Sequence, residues 1–276
     1  LANPFKPSFW RWLLLGLVLR SWKVKMQSSD NAPVLTPAEL LAYRRANGQL
    51  PEFPAPRAVI FAPQKSLADY VLRRHSVKRV KGFLGEFYLL KRTNGQVAFS
   101  TGFGIGAPVI AGLADEFVAL GVKQFLLIGM AGSLQPDLST GSLVIAADVL
   151  RGEGVSQHYL PPNPSVESDA GMTRGLAEAL SKRNAPHRQG RTWTTDAPFR
   201  ELRDVVRTRQ REGVLAIDME AAALLSVARS YDLAAAAAFS IADQLSDGHW
   251  RMARDLRPAQ NGLTVLFDAA LEVLLS

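Results

Sequence analysis

Short apolar runs alternate with helix-spaced patterns along most of this chain. Ala58–Ala62 is an unbroken apolar run and predicts a strand, and Ser66–His75 predicts a helix. Phe83–Arg92 and Gln96–Thr101 read as two strands around Thr93-Asn94-Gly95, a hairpin signal. Pro108–Leu120 predicts a helix, with proline near its start and Gly121 after its end. Phe125–Ile128 and Leu143–Val149 predict buried strands, and Thr173–Arg183 a helix. An alanine-rich helix over Glu220–Ser230 leads to a strand at Ala234–Ile241, and Gly262–Leu275 closes the chain as an amphipathic helix. Upstream, Pro37–Ala46 has a short helical pattern with Thr36 as its N-cap, before Pro51, Pro54 and Pro56 interrupt regular structure. The alternation predicts an α/β layer fold with a largely buried, mixed sheet. The simplest division is a basic, Pro-rich extension over residues 1–56 and one α/β domain over 57–276.

Composition supports a buried core. Hydrophobic residues make up 47% of the 276 and charged residues 21%. The chain has no cysteine, which excludes disulfides, thiolate nucleophiles and Cys-ligated zinc, and fits a reducing, cytoplasmic setting. His75, His158, His187 and His249 are scattered without ligand spacing, so no metal site is expected.

The formal charge of +7 is unevenly placed. Lys6, Arg11, Arg20, Lys23 and Lys25 all precede Met26 in a stretch without acids, and the rest of the chain carries only +2. The basic balance is therefore no argument for nucleic acid as a partner. The apolar run Trp12–Leu19 falls short of the roughly 20 residues that cross a bilayer. It has the size of a signal-peptide apolar region, yet Ser21-Trp22-Lys23-Val24-Lys25 follows it with no cleavage pattern. Two readings of residues 1–25 stay open: an extension upstream of a start at Met26, or an amphipathic helix on a surface or membrane. For the main domain no membrane is expected.

Four motifs could carry chemistry. Gly102-Phe103-Gly104-Ile105-Gly106-Ala107-Pro108 joins a strand to a helix, where glycines admit close backbone approach and the helix start offers free N–H groups. Its spacing is not that of a dinucleotide fingerprint. Ile128-Gly129-Met130-Ala131-Gly132-Ser133 follows a buried strand at its carboxyl end, where open α/β sheets bind ligands. Asp218-Met219-Glu220 puts two carboxylates at a helix start. Ser240-Ile241-Ala242-Asp243 ends a very apolar strand in an acid, where partial burial raises a carboxyl pKa toward the range of a general acid. Each motif alone fits an ordinary turn or helix cap equally well.

Their order is more specific, and it resembles the nucleoside phosphorylase family, which includes uridine phosphorylase, the hexameric purine nucleoside phosphorylases and related nucleosidases. Thr140-Gly141-Ser142-Leu143-Val144-Ile145 and Arg151-Gly152-Glu153-Gly154-Val155-Ser156-Gln157-His158-Tyr159 are similar to two further segments of that family. The resemblance runs from about Val59 to the C-terminus. It implies a mixed, partly barrel-like central sheet flanked by helices, of phosphorylase/hydrolase type. It also implies a small-molecule nucleoside as substrate and a homo-oligomer, dimer or hexamer. No cofactor is implied beyond inorganic phosphate as a possible co-substrate.

Site residues carry over by position. Met219 and Glu220 match the ribose-contacting pair, Glu220 accepting from the 2′ and 3′ hydroxyls. Asp218 joins them where the family has a longer Glu. Asp243 matches the acid that protonates a purine base, and Phe199 falls near the aromatic that packs on it. Arg200, Glu201 and Arg203 are further base-recognition candidates. Gly104, Gly106, Met130, Ala131 and Gly132 belong to the pocket loops. The implied reaction passes through a ribosyl transition state of oxocarbenium character, Asp243 neutralising the departing base while Glu220 holds the sugar.

The phosphate site departs from the family. Pro63 and Leu67 stand where an early loop has glycine and arginine, Gly85 and Leu127 where two further arginines belong, and Met130 where a hydroxyl residue belongs. None of these offers the charged donors that a phosphate dianion needs. Lys65, Arg151 and Arg191 are the remaining cations that could replace them. Three outcomes stay open: transfer of ribose to phosphate, transfer to water, and nucleoside binding without turnover.

Overall fold

All five side chains of β1 (Ala58–Ala62) are buried, as expected of a strand covered on both faces. Val59 and Phe61 enter one core, and Ala58, Ile60 and Ala62 the other. The structure, a computed structural model, describes residues 32–246 and 248–276. The apolar run at Trp12–Leu19 and the start at Met26 lie outside the described residues.

The other strands are β2 (Val77–Val80), β3 (Glu86–Leu90), β4 (Val97–Thr101), β5 (Gln124–Ser133), β6 (Leu143–Gly152), β7 (Ser165–Glu167), β8 (His187–Thr195), β9 (Ala216–Asp218), β10 (Ala234–Gln244) and β11 (Arg251–Met252). They form one sheet in the order β11-β10-β6-β8-β9-β5-β1-β4-β3-β2, with β7 on β6. An additional β10–β5 pairing closes β5, β10, β6, β8 and β9 into a ring. The sheet is mixed: β10 runs parallel to β5 and antiparallel to β6. The fold is thus the expected α/β arrangement, a mixed, partly closed barrel flanked by helices.

Helices cover both faces. α1 (Pro37–Ala46) begins with a capping box between Thr36 and Glu39, and Arg44 ties it to Glu116. α3 (Ala107–Leu120) and α6 (Ala221–Ser230) pack into the first core. α2 (Lys65–Arg74), α4 (Ala170–Lys182) and α7 (Arg257–Leu275) pack into the second. α5 (Arg203–Arg211) contributes only Val206 to a buried position. Among the described residues no helix is long and apolar enough to cross a membrane.

The hairpin forms later than its pattern suggests. Its first strand starts at Glu86, and Asn94 takes the left-handed conformation, φ 51°, after a 3-10 turn at Lys91–Thr93. Phe83 instead joins an aromatic cluster, 5.0 Å from the Phe87 ring and 5.1 Å from that of Phe117. Phe87, Leu89 and Leu90 are core residues, so this segment serves the interior.

Candidate active site

Two helix starts converge on one carboxylate. Glu220 is the N-cap residue of α6, and its Oε1 accepts from the Gly106 N–H, the N-cap of α3, at 2.6 Å. Both positive helix ends favour an anion there. Gly106 has φ 107°, a conformation that side chains other than glycine rarely adopt. The amide expected to face a ligand from this turn is therefore used to hold Glu220. Gly104 belongs to the same turn, and Ile105 carries it to the cavity wall.

Burial opposes the charge. Glu220 is 7% exposed, and its pKa is pushed up to about 7 by desolvation and by Asp218, against hydrogen bonds from Gly106 and Met219. Asp218 is raised to about 6 by desolvation, against hydrogen bonds from Thr194, Ala221 and Glu220. Its Oδ1 accepts from Thr194 Oγ1 at 2.7 Å, and Oδ2 from the N–H groups of Glu220 and Ala221 at 2.8 and 2.6 Å. Asp218 touches the cavity, but both oxygens are engaged in fixing the start of α6. The short Asp218 side chain suits this, because it folds back onto the N–H groups two and three residues on.

The second acid stands at the end of β10. The β10–β5 register shifts between Ile241 and Asp243, a bulge that places Asp243 opposite Gly132. Asp243 Oδ2 accepts from Trp250 Nε1 at 2.8 Å. Burial pushes Asp243 up, opposed by this bond and by a backbone N–H. Glu201 is raised to about 7 by desolvation and by the nearby Asp243.

One cavity of about 770 Å³ gathers these groups, within the range of small-molecule sites. Met130, Ala131, Gly132, Phe199, Glu201, Arg203, Asp218, Met219, Glu220 and Asp243 all line it. Phe199 stands at the rim, 98% exposed, with its ring unpacked. Arg200 is exposed and does not join the lining, so it is not brought to the site with the other base-recognition candidates.

Sequence reasoning missed Trp250, Gln64 and His249 in this wall. Gln64 Oε1 is buried without a protein partner. The Trp250–Asp243 spacing carries no motif, and only the pairing of β11 with β10 brings the indole back.

The cations proposed as phosphate ligands lie elsewhere. Arg151 donates to Ser156 Oγ and to the carbonyls of Leu160, Pro161 and Asn163, and so holds its own loop. Arg191 pairs with Asp148 and Lys65 with Asp69. Leu67 and Leu127 are fully buried core residues. Among the described residues, four carboxyl groups line the cavity, with Arg203 and His249 as the basic side chains.

Space at Gly132 is tight for a side chain. A Cβ there would meet Leu245 Cδ1 at 2.7 Å, Ile217 Cγ2 at 3.2 Å and Asp243 Oδ1 at 3.4 Å. Gly132→Ala is expected to destabilise the protein by about 1–3 kcal/mol, as overpacking typically does. Thermal unfolding measures this; an unchanged Tm would show that the wall yields freely.

Comparison with known proteins places this architecture. Residues 56–273 match the Phosphorylase superfamily. The chain is 28% identical over 202 residues to the DeoD-type purine nucleoside phosphorylase of Myxococcus xanthus, covering 72% of this chain and 79% of that protein. It is 26% identical over 203 residues to the Bacillus cereus protein of the same description, covering 72% and 83%. Among solved structures it is similar to uridine phosphorylase from Vibrio fischeri, with a TM-score of 0.70 at 20% identity, over 80% of this chain and 92% of that one, a likeness of fold.

Proposed function

The chain belongs to the phosphorylase superfamily, and from that premise we propose that it is an enzyme that cleaves the N-glycosidic bond of a nucleoside. The observation that carries this reading is one cavity lined by both Glu220 and Asp243. Glu220 accepts hydrogen bonds from the sugar hydroxyls, anchored through Gly106. Met219 lies against the sugar and Phe199 stacks on the base. Asp243 gives the departing base its proton, with Glu201 and Arg203 beside it. The acid at position 243 and the purine nucleoside phosphorylases among the relatives both favour a purine. The protein works as a homo-oligomer in this reading.

A specific observation favours water over phosphate as the ribosyl acceptor. Four carboxyl groups line the cavity, whereas Lys65, Arg151 and Arg191 are paired outside it. A dianion would find few charge-assisted donors there. Water needs none.

A nucleoside panel assayed with and without phosphate tests the proposal. Purine nucleosides are expected to release free base and ribose at a rate that added phosphate leaves unchanged. Release that requires phosphate would restore phosphorolysis. Saturable binding without release under either condition would reduce the protein to a nucleoside binder.

A further inference from the structure

The two oxygens of Asp243 are not equivalent. Oδ2 accepts the Trp250 indole N–H at 2.8 Å. Oδ1 lies beside Gly132, within 3.4 Å of where a Cβ would stand. Gly132 lines the cavity and pairs with Asp243 across the β10 bulge. An indole N–H is a donor only, so the oxygen it engages is disfavoured as a site for a proton.

We propose that Trp250 is a positioning residue for Asp243: its indole N–H occupies Oδ2 and confines the transferable proton to Oδ1, the oxygen beside Gly132. This rests on the reading of Asp243 as the acid that protonates the departing base. No bond to Trp250 forms or breaks in the reaction. The proton passes from Oδ1 to the base, and the resulting carboxylate keeps the indole bond, which favours the charged form.

The geometry gives Trp250 little else to do in the fold. It is 65% exposed, and β11 (Arg251–Met252) returns it to the cavity by pairing Met252 with Asp243 and Arg251 with Gln244. Among the described residues, the titratable and charged groups around Asp243 are Glu201 and Arg203 just before and at the start of α5, Asp218 and Glu220 just before α6, and His249 and Arg251 from Trp250's own segment. On β5 the facing residues, Gly132 and Ser133, carry no charge.

The test has two readouts on the full chain. The first follows the ¹⁵N-labelled indole resonances with pH. The chain has five tryptophans, and the Trp250→Phe variant assigns the relevant signal. That signal is expected to titrate with a carboxyl group and to stop doing so in Asp243→Asn.

The second readout is the pH profile of turnover. Trp250→Phe keeps an apolar ring in the wall but removes the donor, so the Asp243 carboxyl should titrate higher. The alkaline limb is expected to move up by about half to one pH unit. Maximal turnover is expected to fall about threefold to tenfold, because the carboxyl is no longer held in orientation and the proton is shared between both oxygens. An indole signal indifferent to Asp243→Asn, or an unmoved profile in Trp250→Phe when Asp243→Asn has lost turnover, overturns the positioning role alone. Full turnover in Asp243→Asn overturns the acid assignment, and the positioning role with it.

Discussion

Asp243→Asn is expected to lower turnover of purine nucleosides by about 10²–10⁴-fold, the usual contribution of a positioned general acid. Asparagine keeps an oxygen for the Trp250 indole bond, so the wall between β10 and β11 should persist. It cannot surrender a proton to a leaving base. The loss should be smaller for pyrimidine nucleosides, whose departing ring has no imidazole nitrogen to protonate. Parallel kcat measurements on both classes decide the matter, and equal losses would remove Asp243 from the role of base-protonating acid. The parent protein should also slow as the pH rises, because a general acid must hold its proton. Burial places Asp243 above the ordinary aspartate range and Glu201, beside it, at about 7. Ionisation of either group makes proton release from the other harder, so the alkaline limb belongs to the pair.

Glu220→Gln is expected to lower kcat/KM by about a hundredfold or more. Hydrogen bonds to a charged acceptor contribute about 1.5–3 kcal/mol each, and two sugar hydroxyls would lose that charge. The same substitution should leave the protein equally or more stable. Its carboxamide oxygen can still accept from Gly106, while the buried charge is removed. The sign follows from the direction of the shift. Folding raises the Glu220 pKa to about 7, so the folded state favours the protonated carboxyl. That contribution is complete below the unfolded pKa and is lost as the pH rises through about 7. At and above neutral pH the wild-type protein therefore carries a cost that glutamine lacks. Kinetics on ribonucleosides and thermal unfolding at pH 8 test both halves. Undiminished kcat/KM would remove the ribose assignment, and a sharply lower Tm would show that the charge itself holds α3 and α6 together.

The patterns that proved legible share a physical cause. β1, β5, β6 and β10 are covered on both faces, so their apolar runs are long and unmistakable. The Thr36 cap was equally plain, because the capping box is a local pattern. By contrast, β8 is buried only in its second half, and its first residues are polar. α5 offers one buried side chain, Val206, and so presents no apolar face. β9 and β11 span three and two residues, too few for any periodicity. These less visible elements carry Thr194, Arg203 and Asp218 and flank Trp250, so the site was harder to read than the core.

What the sequence determined by itself was the layered α/β fold and the order of the glycine turns and acids. Each of these depends on residue type, spacing or local burial. What only the tertiary structure decided was which groups are free to act. Asp218 and Glu220 are two residues apart, yet one is consumed by helix capping and the other is held at the cavity wall by a glycine 114 residues away. Asp243 meets Gly132 because a bulge shifts the strand register, and meets Trp250 because a short strand folds back. Long-range pairing sets these contacts, and no local pattern encodes it.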